Sequence, residues 1–327
     1  MSQPIIVGFD GSEHGRDALA LGRALAQALS TQLIVVIAYA PEERLWVPWT
    51  AEPLDASGQQ RLVEQAEAEL SSFDRAECRT VASESAAGAL QAEADGEHAQ
   101  VIVVGSTHRG AAGRILLGTV TQEVLDAAPC AVAVAPVGLA SVQPISFSIV
   151  GVGFDDTDTA HDALAVARSL ARRAGSELRV IWAAHLVARA LPSAFMSYLG
   201  PDYFDHVRAE VEDRLNQATA PIRAEMVVDT KIVGGDTIAA LVEQSAQMDL
   251  LVLGSRGYGP VKRVLLGSVS RRLVNGARCP VLIVPPGGGV LEDDARAQQS
   301  AGRAESDALA TTTSRRSPSQ SAPSHST

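Results

Sequence analysis

The chain has 327 residues, of which 46% are hydrophobic and 20% charged, with a formal net charge of -11. That length exceeds one ordinary compact domain and suits two, each with its own core, and the composition is that of a folded globular protein rather than a disordered or fibrous one. The acidic balance argues against coating nucleic acid or adsorbing to anionic lipid, yet it leaves room for a small anionic ligand held by backbone dipoles.

The opening stretch MSQPIIVGFDGSEHGRD has no basic lead, long apolar core or cleavage site. No apolar run approaches the roughly 18 residues that span a bilayer. The expectation is a cytoplasmic protein with neither a membrane nor a nucleic-acid partner.

In chain order, IIVGF from Ile5 reads as a buried strand that ends at Asp10. ALALGRALAQAL follows as an amphipathic helix with Leu21, Leu25, Ala28 and Leu29 on one stripe. LIVVIA is a second strand, ending at Ala38. The connection PEERLWVPWTAEP, with Trp46 and Trp49, is long and proline-bearing; it is read equally as a lid or interface and as cover for the sheet edge. RLVEQAEAEL is a helix with Leu62, Ala66 and Leu70 aligned, and VIVVG and AVAVA are further apolar strands. Nearly continuous apolar strands are what burial on both faces of a parallel sheet demands.

Between those last two strands lies GSTHRGAAGRILLGT, residues 105 to 119. Gly118-Thr119 reads as a helix start, and Thr119 with Gln122 matches a capping box. PVGLASVQPIS, residues 136 to 146, has two prolines and no strong periodicity, which predicts a linker.

The pattern then repeats. Gly8, Phe9, Asp10 and Asp17 recur 145 residues later as Gly153, Phe154, Asp155 and Asp162, and TQLIVVIAYA recurs as SELRVIWAAH. GSRGYGPVKRVLLGS, from Gly254, follows the first glycine loop by 149 residues, and PCAVAVAP is echoed by CPVLIVPP. The second long connection, HLVARALPSAFMSYLGPDYF, is also aromatic. Two copies of alternating strand and helix predict an α/β fold of two tandem doubly wound domains. The boundaries are 1-136 and 147-286, with a linker at 137-146 and a disordered tail, rich in Ala, Ser and Thr, over 287-327. Cys78, Cys130 and Cys279 share no metal or disulfide spacing and read as reduced, buried residues.

In open parallel sheets, ligands sit beyond the carboxyl ends of strands. Three features of each copy fall there. Asp10 and Asp155 end the first strand, as ligand contacts or as caps of the next helix. Gly254 and Gly257 lack a Cβ, so the backbone can approach phosphate and turn back on itself. Gly267-Ser268 opens a helix whose free N-H groups suit an anion. The first copy repeats this with Gly105 and Gly118 but carries His108 where Gly257 stands. Walker-type lysine, GxSxG and HExxH patterns are absent.

With G-x2-G-x9-G-S behind a strand and an aspartate closing the first strand, residues 1 to about 286 resemble two tandem universal stress protein domains of the ATP-binding branch. The resemblance implies a five-stranded parallel sheet per domain, of the adenine nucleotide alpha hydrolase-like type, with ATP, and magnesium with it, across the strand ends. It implies Asp155 at the ribose or metal, Ala183 at adenine through its backbone, and Leu253, Gly254 and Gly257 at the ribose-phosphate turn. Gly267, Ser268, Val269 and Ser270 would hold the phosphates. The matching first-copy positions are Asp10, Ala38, Val104, Gly105, His108, Gly118, Thr119, Val120 and Thr121. Pairing through the last strand of each domain is also implied, as a homodimer or as a pseudo-dimer within one chain. The function this implies is a nucleotide-dependent regulator of stress response or growth arrest, set against a slow metal-dependent ATPase or phosphotransferase and against a scaffold that binds no nucleotide. His108 predicts two unequal sites.

Overall fold

The computed structural model describes residues 3-40, 55-106, 117-142, 144-184, 193-255 and 268-288, with only the backbone of 184, 193-204 and 268-269 described. Ten strands form one sheet in the order β3-β2-β1-β4-β5-β10-β9-β6-β7-β8. In the first half these are β1 (Ile5–Gly8), β2 (Leu33–Tyr39), β3 (Ala76–Ala82), β4 (Val101–Gly105) and β5 (Ala131–Ala135). In the second they are β6 (Ile149–Phe154), β7 (Glu177–Ala184), β8 (Val228–Gly234), β9 (Leu250–Gly254) and β10 (Val281–Val284). Every neighbouring pair is parallel except β5 and β10, which run antiparallel with Val281 opposite Val134 and Ile283 opposite Val132. PCAVAVAP and CPVLIVPP therefore meet at this seam, and what would be a bare edge of each half is covered by the other.

The central strands are buried along their length because helices cover both faces: Ile5, Ile6, Val7, Leu33, Val35, Val103, Val132 and Val281 are almost without exposure. The outer strands are less covered: β3 mixes half-buried and exposed residues, and β8 is half-buried up to its exposed last residue, Gly234. Helices α1 (Glu13–Leu29), α2 (Ala56–Glu69), α3 (Ala86–Gly96) and α4 (Thr119–Ala127) belong to the first half. Those of the second are α5 (Asp158–Ala174), α6 (Ser193–Arg223), α7 (Thr237–Ser245) and α8 (Ser268–Val274). The predicted stripe on α1 is in place, with Leu21, Leu25 and Leu29 fully buried.

Several details differ from the expectations. The cap of α1 is Ser12 and that of α5 is Thr157; Asp10 and Asp155 stand two residues earlier and brace the capping hydroxyls. No capping box forms at α4, because Gly118 takes the N-cap position and Thr119 is already helical. Gln122 instead donates from Nε2 to the Leu117 carbonyl at 3.3 Å. The connection after β7, expected as a loop, is helical from Ser193 onward.

The linker contains a 3-10 turn at Leu139–Ser141. It is gripped by buried Asp17, which accepts from the amides of Gly138 at 2.8 Å and Ala140 at 2.7 Å. Asp162 plays the matching part at Gly287, at 2.7 Å. The recurrence of Asp17 and Asp162 is thus structural, a carboxylate that ties the first helix to the turn after the last strand. Trp46, Trp49 and residues 289-327 lie outside the described residues.

Candidate functional site

Doubly wound topology places a hollow beyond the carboxyl ends of β6, β7 and β9, and a cavity of about 670 Å³ lies there. Its floor is apolar, built from Gly153, Phe154, Ile181, Ala183, Leu241 and Leu253. Its polar wall comes from the first turns of three helices: Thr157, Thr159 and Ala160 at α5, Asp236, Thr237 and Ile238 at α7, and Ser270 with Arg272 on α8. Such ends carry a partial positive charge even where their own side chains cap the first amides, and Asp155 and Asp236 add carboxylates at the same mouth. An apolar floor beneath convergent polar groups, in this volume range, is the general form of a small-molecule site.

The turn at Asp155 is specified locally. Its Oδ1 accepts from the Thr157 hydroxyl at 2.6 Å and the Thr157 amide at 3.3 Å, an Asx turn that leads into α5. Asp156 takes the left-handed conformation at φ 62°, where the first half has Gly11 at φ 77°. A hydrogen bond with His161 Nε2, then Arg214, holds the Asp156 carboxyl below its ordinary value. Phe154 is fixed between His161 and Trp182 by edge-on ring contacts at 5.0 and 5.9 Å.

Gly254 and Gly105 also have a packing reason. A Cβ at Gly254 would lie 2.3 Å from the Thr159 carbonyl oxygen, and one at Gly105 would lie 2.2 Å from that of His14. Both glycines therefore allow the first turn of α5 or α1 to sit on the end of a strand. In each half the next residue, Ser255 or Ser106, is buried, and its hydroxyl has no hydrogen-bond partner among the described residues.

Of the positions named from the sequence, Asp155, Ala183, Leu253, Gly254 and Ser270 come together around this cavity. Ser268 and Val269 begin α8. Gly257, Gly267 and His108 lie outside the described residues. The contribution of α7 was missed, although its signal was present in the Asp-Thr pair that opens the helix: Asp236 caps it by accepting from the Ile238 and Ala239 amides, each at 3.0 Å. Arg272 was also missed, one turn into α8, where α4 has Glu123.

In the first half Asp10 closes on Ser12 as Asp155 does on Thr157, through 2.6 Å to the hydroxyl and 3.0 Å to the amide. Ala38 stands half-buried one residue before the end of β2, Val104 and Thr121 are buried, and Thr119 and Val120 face solvent. Thr121 donates to the Gly105 carbonyl at 2.8 Å, joining the start of α4 to the end of β4. Leu117 is bonded across the seam, its amide donating to Asn275 Oδ1 at 3.0 Å.

The Universal stress protein family model matches residues 1-136 and again 146-285. The chain belongs to the universal stress protein family. Among its curated relatives, a universal stress protein of Mycobacterium tuberculosis is 34% identical over 189 residues, which is 57% of this chain and 61% of that protein. The alignment thus spans about three fifths of that relative's length. One from Thermus aquaticus is 37% identical over 139 residues, 40% of this chain and 97% of its own. The crystal structure of a universal stress protein from Archaeoglobus fulgidus matches at a TM-score of 0.60 and 18% identity, covering 87% of this chain and 98% of that one, a likeness of fold. This universal stress protein thus carries the α/β architecture twice. Among its described residues no helix is long and apolar enough to cross a membrane.

Proposed function

We propose that this universal stress protein binds ATP and serves as a nucleotide-dependent regulator of stress response or growth arrest. The observation that carries the reading is the second-half cavity, where Asp155, Ala183, Leu253, Gly254 and Ser270 surround about 670 Å³ at the strand ends. That volume falls within the range of roughly 300 to 1,000 Å³ usual for small-molecule sites. The Ala183 end, beside Ile181, Ile238 and Leu241, is apolar enough for a planar base. Asp155 keeps Oδ2 available for a ribose hydroxyl while Oδ1 holds Thr157. Ser270 and Arg272 place a hydroxyl and a cation where a phosphate chain would run.

The described residues contain no cluster of three acidic, His or Cys side chains fit to hold a metal by themselves. Magnesium would therefore be held through the nucleotide's own phosphates and water, with Asp155 and Asp236 as the carboxylates that line the cavity. The bound ion would supply charge neutralisation; the chain's own residues bind and orient.

The test is to denature freshly purified protein and identify the released small molecule by mass spectrometry, with stoichiometry. Release of adenine nucleotide, or a magnesium-ATP titration that saturates and is lost in Ala183→Phe, supports the reading. Absence of both, with no thermal shift in ATP, refutes it. Near two nucleotides per chain would mean that both halves bind, and near one, lost in Ala183→Phe, would assign binding to the second.

A further inference from the structure

We propose that Asn275, in the second half, is a positioning residue for the first-half site, bracing it across the β5/β10 seam. The binding consequence rests on the nucleotide reading above; the structural part rests on geometry alone.

The start of α4 has an unusual need for outside support. Its N-cap is Gly118, which offers no side chain to the helix N-terminus and is the residue least able to fix its own backbone. The residue before it, Leu117, is held at both polar groups: its carbonyl accepts from Gln122 in the same half, and its amide donates to Asn275 Oδ1 at 3.0 Å, 158 residues away in sequence. The Leu117 side chain is buried in a cluster that also holds Leu273, Val274 and Ala277 from the other half. The first turn of α4 is therefore tied to its own half through Thr121 and Gln122, and the residue that leads into it is braced from the second half by Asn275.

Asn275 is itself well placed to do this. Its amide closes the last turn of α8 on the Arg271 carbonyl at 3.1 Å, and Arg271 pairs with Asp126 on α4 at 3.0 Å. Helix α8 thus lines the second-half cavity with Ser270 and Leu273 and reaches the first half just beyond its other end. The relation is not mirrored in residue type, because the first-half counterpart of Asn275 is Asp126, which meets Arg271.

The experiment uses the full chain with Asn275→Ala and Asn275→Asp, the second of which keeps the acceptor oxygen. Amide hydrogen exchange at Leu117, without ligand, is expected to be about 5- to 30-fold faster in Asn275→Ala and within about threefold of the parent in Asn275→Asp. Magnesium-ATP is then titrated calorimetrically in an Ala183→Phe background, which fills the second cavity, and in Ala38→Phe, the matching change in the first half. Asn275→Ala should weaken the first site about fivefold or more and leave the second within about twofold, and Asn275→Asp should restore the first. Unchanged Leu117 exchange in Asn275→Ala overturns the proposal, as does equal weakening of both sites, which would mean a general structural role. If the parent binds ATP in neither half, the nucleotide reading falls and Leu117 exchange alone decides whether Asn275 positions this backbone.

Discussion

Replacing Gly254 with alanine should destabilise the protein before any ligand is added. The new Cβ would stand 2.3 Å from the Thr159 carbonyl oxygen and 2.7 Å from its carbon, against about 3.4 Å for an ordinary contact. Because the opposing atoms are backbone, no rotamer change can relieve the clash; the first turn of α5 or the end of β9 must move by roughly 1 Å. Overpacking of this kind costs about 2–3 kcal/mol, the upper part of the usual range. Gly105→Ala, facing the His14 oxygen at 2.2 Å, should cost the same. Gly96 closes α3 with nothing within 4 Å of an added methyl, so Gly96→Ala is the control and should be neutral or up to about 1 kcal/mol stabilising. Urea unfolding of nucleotide-free protein measures all three as shifts in midpoint at constant slope. A Gly254→Ala protein within about 0.5 kcal/mol of its parent, yet deficient in ligand binding, would refute the packing explanation and return the glycine to a role at phosphate.

Other expectations concern the ties around the sheet. Asp17→Ala removes two part-buried bonds from a buried carboxylate to the amides of Gly138 and Ala140 and should cost about 2–4 kcal/mol, whereas Asp162→Ala loses one exposed bond to Gly287 and should cost about 1 kcal/mol or less; equal losses in chemical denaturation would contradict this. Arg214→Ala removes half-exposed ion pairs to Asp156 and Glu210, which solvent screens, so the unfolding midpoint should hardly move; a clear loss would show that α6 is anchored there. Burial pushes the thiol of Cys78 up to about 11 and that of Cys130 to about 12, and raises Cys279 as well. At pH 8 a Cys78 shifted from 9.0 to about 11 has about 100-fold less thiolate, partly offset by the greater reactivity of a more basic thiolate, so thiol reagents should label this half-buried residue about 10-fold or more slowly in native than in unfolded protein. Since the folded state favours the protonated thiols, their contribution is intact below about pH 9 and is lost as pH rises through 11 to 12; stability that is flat over that window would contradict the burial of these groups.

What was legible in the sequence follows from how strongly each segment is buried. Strands such as VIVVG and AVAVA are covered on both faces, so their apolar runs admit one reading. β3 and β8 have one strand neighbour each, and residues such as Glu77, Arg79, Asp229 and Lys231 blur their pattern. The second long connection was read by likeness to the first, but the later stripe of Leu215, Thr219 and Ile222 is buried and α6 extends back through Pro201 and Gly200 to Ser193. At α4 the capping-box spacing was present but one residue out of frame, since glycine takes the cap itself. For the site, the repeated residues at strand ends led to Asp155, Ala183 and Gly254, because a repeat marks positions shared by both halves. Asp236 and Arg272 were hidden for the converse reason: the first half has Ser85 as the corresponding cap and Glu123 on α4, so comparing the copies passes over them.

The antiparallel seam between β5 and β10 has a consequence for how the two halves can change. In a pair of identical subunits, any substitution near the two-fold axis enters twice and must suit both partners at once. Here each contact across the axis joins two different residues of one polypeptide, as Asn275 with Leu117 or Arg271 with Asp126 does. Association of the halves is intramolecular, so dilution does not separate them. A change on one side is met once, by a neighbour free to differ from its counterpart, and each half can specialise while the other preserves the joint sheet.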